Sequence, residues 1–309
     1  MKLHIIDAEN YKIDGGACFG VVPKAIWGKN IIADENNMIP ISNRLLLIEQ
    51  KNEKILIDTG IGNKQDEKYF SHFYISGLHV EEALKLNGFS ANEITAVILT
   101  HLHFDHVGGC LKYNKDHTKI IPVFPNATYY CSHDQWVSAN NPNPREKASY
   151  HKENFYSLFE NGQIEFIHNE EELFENIFLK IYNGHTLGQL IPEINYNGKK
   201  IVFMADFIPS LYHLHVPYIP SFDIQPLLSL KEKTLFYERA INENFILFFE
   251  HDPENQCCTI QKTDKGIKPK EIFRLNDVFY FFYLTIFQIF IKLFIFFIEI
   301  KIIIYTFAY

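Results

Sequence analysis

The stretch THLHFDHVGG, residues 100–109, sets three histidines and an aspartate within six positions, directly after the apolar run AVIL at 96–99. That run reads as a buried strand, so the polar side chains fall at its mouth. Imidazole and carboxylate groups crowded into one cleft are costly to desolvate unless a cation neutralises and coordinates them. His101 and His103 are two apart, and an extended or tightly turned backbone lets both point into one space, with Asp105 and His106 following. Two ligand sets fit this spacing better than one. Gly108 and Gly109 let the chain turn closely beneath the cluster.

On either side, short runs rich in β-formers and bounded by turn residues read as strands: RLLLIE at 44–49, KILIDTG at 54–60, TAVILTH at 95–101 and ATYYCS at 127–132. FLKIYNGHT at 178–186, KKIVFMAD at 199–206 and ENFILFFEHD at 243–252 form a second set. Helical patterns at 79–88, 133–140 and 229–242 sit between them, which describes a layered α/β protein. His101, His185, Asp206 and His251 each lie just beyond a strand, where side chains from different strands converge at one sheet edge.

The ordered set of motifs resembles the metallo-β-lactamase-fold hydrolases over roughly residues 15–275: Asp58 in LIDTG, THLHFDH, His185 in NGHTLGQ, Asp206 in FMADFIP and His251 in FFEHD. The resemblance implies an αβ/βα four-layer sandwich, two mixed β-sheets flanked by helices. It also implies that His101, His103 and His185 hold one metal, that Asp105, His106 and His251 hold another, and that Asp206 bridges them. Asp58 would orient a ligand histidine or its loop. Zinc suits nitrogen and oxygen ligands, and manganese, iron or cobalt fit the same two sites.

Two divalent metals can share a water and lower its pKa, so the expected reaction is hydrolysis by a metal-bridging hydroxide, with Asp105 and Asp206 as catalytic residues. The motif spread is closest to lactonase-like and organophosphate-hydrolase-like members, which implies a small substrate with an acyl or aryl group, a lactone or carboxylic ester. The alternatives are an organophosphate or phosphodiester hydrolase using the same centre, and a catalytically silent metal-binding or membrane-tethered protein. One departure is Gln189 in GHTLGQ, where many relatives carry a second histidine. That residue is not generally a ligand, so the departure bears on pocket polarity.

GGACFGVVPKAIWG at 15–28 resembles the family's N-terminal substrate loop, with Phe19 and Trp27 as walls of an acyl pocket or as packing beneath the sheet. Phe104 and Phe207 flank the ligands and would also meet substrate. In FIPSLYHLHVPYIPSFD, after Asp206, Tyr212 and His213 are the nearest polar groups that could donate to a substrate oxygen.

A net charge of -8 offers no basic footprint for nucleic acid. The five cysteines are odd in number and lack C-x-x-C spacing, as expected of reduced thiols in the cytoplasm. Residues 1–275 read as one hydrolase domain, and homodimerisation is open. From 276 to 309 the chain is almost wholly Phe, Ile, Tyr and Leu. This tail is either a membrane segment, which would tether the enzyme, or translated AT-rich non-coding sequence, or a buried terminal element.

Overall fold

Strand-forming runs joined by short helices build two seven-stranded sheets in the computed structural model, which describes residues 1–277. The chain divides into two compact units, Met1–Ile272 and Phe273–Tyr309. The tail lies, from residue 278 on, outside the described residues. Among the described residues no helix is long and apolar enough to cross a membrane.

The first sheet runs, in spatial order, Ser76–Gly77, Lys2–Asp14, Met38–Gln50, Glu53–Ile57, Ala96–Ile98, Thr128–Ser132 and Ile164–Ile167. Its early pairs are antiparallel, and the strands from Glu53–Ile57 to Ile164–Ile167 pair in parallel. The second sheet runs Glu171–Phe174, Ile177–Tyr182, Gln189–Tyr196, Lys199–Phe203, Ile246–Phe248, Cys257–Thr263 and Gly266–Phe273. Lys199–Phe203 and Ile246–Phe248 pair in parallel, while the pairs from Glu171–Phe174 through Lys199–Phe203, and Ile246–Phe248 with Cys257–Thr263, are antiparallel. Both sheets are therefore mixed, and helices such as Val80–Leu86, His133–Asn140 and Pro226–Asn242 flank them.

The first strand, Lys2–Asp14, escapes a period-two reading because its register shifts between Asp7 and Asn10. Before the shift the even-numbered Ile6 and Ala8 are buried; after it the odd-numbered Glu9 and Tyr11 are. A bulge of this kind re-aims the side chains beyond it. The two cysteines Cys257 and Cys258 lie buried in a strand of the second sheet, and all five thiols are free.

The loop carrying THLHFDHVGG is pinned from below. Thr59 donates from its backbone N and its Oγ1 to the carbonyl of His106, both at 2.8 Å. Gly109 N donates to Gly60 O at 3.1 Å, and the buried Lys64 ammonium donates to the carbonyls of Gly108 and Leu111. A Cβ at Gly108 would stand 1.6 Å from the Ile61 carbonyl oxygen, so backbone meets backbone where only glycine fits. Gly108→Ala is expected to lower stability by about 1–3 kcal/mol through overpacking. Urea unfolding checks this, and an unchanged midpoint would show that the two segments separate freely.

Candidate metal centre

Each candidate ligand sits where regular structure stops. His101 follows the strand Ala96–Ile98, and His103 caps the four-residue helix Phe104–Val107 that carries Asp105 and His106. His185 follows Ile177–Tyr182, Asp206 follows Lys199–Phe203, and His251 follows Ile246–Phe248. Gly184 lets this backbone press against Ser229, since a Cβ there would meet the Ser229 hydroxyl at 2.4 Å. The result is two groups whose ligand atoms lie within 4.8 Å of one another: His101, His103, His185 and Asp206 in one, Asp105, His106 and His251 in the other. All seven residues are buried.

The five histidines share one feature. Each has one ring nitrogen taken by a partner outside the cluster. His106 Nδ1 donates to Asp58 at 2.9 Å, His185 Nδ1 to Asp223 at 2.9 Å, and His251 Nδ1 to the carbonyl of Ser42 at 2.9 Å. His103 Nε2 donates to Glu146 at 3.2 Å. His101 Nδ1 lies 3.1 Å from Thr100 Oγ1, whose own proton goes to Asp58 at 2.6 Å, so the hydroxyl accepts from the ring. Carboxylates and carbonyls only accept, so these outer nitrogens carry the protons and the inner ones present lone pairs.

Inner nitrogens then face each other: His185 Nε2 is 3.2 Å from His103 Nδ1, and His251 Nε2 is 3.2 Å from His106 Nε2. Lone pairs so close repel unless a cation stands among them. The Asp206 carboxylate divides between the groups. Its Oδ2 lies 3.2 Å from His185 Nε2 and 3.9 Å from His101 Nε2, while Oδ1 lies 2.6 Å from His251 Nε2 and 3.4 Å from His106 Nε2. His101 Nε2 and Asp206 Oδ1 are buried without a hydrogen-bond partner. This donor set fits divalent cations.

Electrostatics agree. Burial alone would push His251 down, but the Asp206 and Glu250 carboxylates outweigh it and bring the ring up to about 9. Burial likewise opposes protonation of His106 and His185, yet carboxylates raise both. His101 and His103 are lowered, chiefly by burial. The carboxylate side of the centre thus attracts positive charge.

A cleft of about 440 Å³ opens over these groups, with His103, Asp105, His185, Asp206 and His251 on its surface. Apolar side chains, Ile13, Ile41, Phe73, Phe104 and Phe222 among them, line the rest. Of the residues expected to meet substrate, Phe104 lines this cleft. Phe19 and Trp27 do not: they are buried and stack on each other at 5.3 Å, because an indole and a phenyl bury more area against the core than at a cleft wall. Phe207 stacks on Tyr182 at 4.0 Å and is absent from the cleft lining.

Tyr212 and His213 line a neighbouring cavity of about 190 Å³ that shares Cys18, Ile41, Pro209 and His251 with the cleft. His213 has no free nitrogen to offer, since Nδ1 pairs with Ser210 Oγ at 2.8 Å and Nε2 with the Cys18 carbonyl at 3.0 Å. Burial pushes it down to about 3, so it is neutral and structural. The buried Gln189 amide finds no hydrogen-bond partner and lies in neither ligand group.

Four residues that no motif reading selects complete the site: Tyr11, Glu146, Asp223 and Glu250. Glu146 accepts from His103, Tyr150 and Thr186, and from Asn143 at 3.0 Å. Burial would raise its carboxyl, but the His103, Thr186 and Tyr150 hydrogen bonds win and bring it to about 2. Asp223 and Glu250 do carry a weak signal, each being an acid at the end of a stretch that already holds site residues.

Residues 43–238 match the model of the metallo-beta-lactamase superfamily, and the chain belongs to that superfamily. The N-acyl homoserine lactonase of Bacillus thuringiensis is 24% identical over 226 residues, 68% of this chain and 81% of that protein. Among solved structures, a probable metal-dependent hydrolase from Staphylococcus aureus superposes with a TM-score of 0.79 at 29% identity, covering 88% of this chain and 95% of its own. The dizinc quorum-quenching lactonase AidC, solved with a product, superposes at 0.71 with 23% identity over 88% and 95% of the two chains. The fold is that of a metal-dependent hydrolase.

Glu146→Ala frees the outer nitrogen of His103. Metal affinity is expected to fall about 10–100-fold, as when an orienting partner is lost elsewhere. Competition against a chromophoric chelator measures this, and wild-type affinity would mean that His103 needs no such partner.

Proposed function

We propose that the chain is a dinuclear metal-dependent hydrolase of lactones or carboxylic esters that carry an apolar acyl group. The observation that carries the reading is the set of five histidines, each held by an outer partner with its free nitrogen turned inward, around an Asp206 carboxylate divided between two groups. His101, His103 and His185 would hold one ion and Asp105, His106 and His251 the other, with Asp206 shared. Zinc is the ion this nitrogen-and-oxygen set suits first. When bound, the pair supplies an acidified water and a Lewis acid for the substrate carbonyl.

The chain's own side chains supply the rest. The apolar cleft seats the acyl tail beside the ligands and excludes water from it. Water adds to the acyl carbon, the bond from that carbon to the leaving oxygen breaks, and a proton must reach that oxygen. Asp105, on the cleft surface, is the carboxylate placed to carry it. In a lactone the leaving oxygen stays tethered and the product is a hydroxy acid. The lactonase names of the relatives support this choice over a phosphoester. The buried, unpaired cysteines accord with a cytoplasmic setting. The same reading confines catalysis to residues 1–275.

Asp206→Asn and His106→Ala are each expected to cut turnover by roughly 10³-fold or more, the several kcal/mol that a metal centre contributes to the transition state. A panel of lactones, aryl esters and phosphotriesters, assayed before and after chelation, should show chelator-sensitive cleavage of the first two classes. Near-wild-type rates in both variants would refute the dinuclear assignment, and cleavage of phosphotriesters alone would replace the substrate class.

A further inference from the structure

Asp105 differs from the other members of its group. Its carboxylate stands on a helix of four residues, Phe104–Val107, too short to fix a side-chain rotation by itself. No backbone amide donates to it among the described residues. One group does reach it: the phenol of Tyr11 donates to Asp105 Oδ2 at 2.5 Å. A short O–H to carboxylate bond of this length is charge-assisted and among the stronger hydrogen bonds a protein makes.

Tyr11 arrives from far away in sequence, on the strand Lys2–Asp14, just beyond the register shift between Asp7 and Asn10. Without that shift, the buried alternation of Ile6 and Ala8 would continue to position 10 and leave Tyr11 on the opposite face. Bulges recur beside active sites for this reason. The ring is seated edge-on against His251, with centroids 6.4 Å apart, and against Phe73 at 6.5 Å. It also lines the cleft. Its position is thus held by packing, and its hydroxyl is spent on one acceptor.

We propose that Tyr11 is the positioning residue of this half of the centre: its hydroxyl fixes the rotation of Asp105 so that Asp105, His106 and His251 can share one cation. This rests on the dinuclear reading above. The five histidines have their outer partners, and Tyr11 gives the Asp105 carboxylate the equivalent. The effect is selective, because Tyr11 makes its hydrogen bond to Asp105 and its ring contact to His251, and makes neither with His101, His103 or His185.

The test is Tyr11→Phe in the full chain, which keeps the ring and removes the hydroxyl. Metal-free wild type and variant are titrated calorimetrically with Zn²⁺, and with Co²⁺ while its visible absorption is followed. One of the two equivalents is expected to bind about 10–100-fold more weakly in the variant and the other to be unchanged. The Co²⁺ spectrum of the weakened equivalent should shift, and kcat should fall with KM held within about twofold. Identical titrations and spectra would overturn the proposal. So would equal weakening of both equivalents, which would make Tyr11 a support of the fold. A wild type that takes up one equivalent only removes the dinuclear reading and this inference together. A wild type that takes up two but cleaves no lactone or ester removes the hydrolase reading alone, and the titration still decides Tyr11.

Discussion

The buried carboxylate of Asp58 joins the end of one strand to the loop that carries four of the candidate ligands, and much of the site's order descends from it. It accepts from Thr100 N at 2.8 Å, Thr100 Oγ1 at 2.6 Å and His106 Nδ1 at 2.9 Å. Through the Thr100 hydroxyl it also sets His101. One carboxylate therefore orients a histidine in each group. Asp58 itself adopts a left-handed backbone with φ of +58°, uncommon for a residue that is not glycine. Such conformations persist where the surroundings over-determine them, and three hydrogen bonds to one side chain do so here.

Around five inward-facing imidazoles the fold sets Asp58, Asp105, Glu146, Asp206, Asp223 and Glu250, all buried. So many carboxylates would be untenable in a dry interior unless matched by cations or protons. The chain answers in two ways. On the His103 side, hydrogen bonds hold Glu146 ionised. On the His106 side, the Glu250 carboxylate has no hydrogen-bond partner, lies 3.4 Å from His106 Nδ1, and is raised by burial to about 7. The two ligand groups thus sit in different fields, which is a physical reason for them to differ in affinity for a cation.

Much of this was legible in the sequence because ligands at strand ends leave a mark: an apolar run, then His or Asp, then a turn. That pattern marked His101, His185, Asp206 and His251; the run at 44–49 lies within the strand Met38–Gln50, and that at 127–132 overlaps Thr128–Ser132. Lys2–Asp14 was hidden by its bulge, which breaks the alternation on which a strand is recognised. The orienting partners were hidden for another reason. Tyr11 meets Asp105 across 94 residues and Glu146 meets His103 across 43, and neither has a local signature, since a tyrosine or a glutamate in a polar stretch reads as surface. Phe19 and Trp27 failed in the opposite sense, because aromatic residues near a glycine-rich loop read alike whether they line a pocket or fill a core.

The centre also draws on both sheets, and the stitching between them does not depend on metal. From the strand Met38–Gln50, Ser42 Oγ donates to the Glu250 carbonyl at 2.8 Å and Arg44 N to the same carbonyl at 3.1 Å. The buried Arg44 guanidinium donates to Phe249 O at 3.0 Å and Asp252 O at 2.7 Å, bracketing His251 in sequence. Backbone acceptors held by a buried guanidinium fix where His251 begins, and Ser42 O then fixes how its ring turns. The two sheets are thus registered against each other by bonds to which no ion contributes. Hydrogen bonds that involve no ion thus hold the two sheets together at His251, and any cation that binds the folded chain adds stability by mass action.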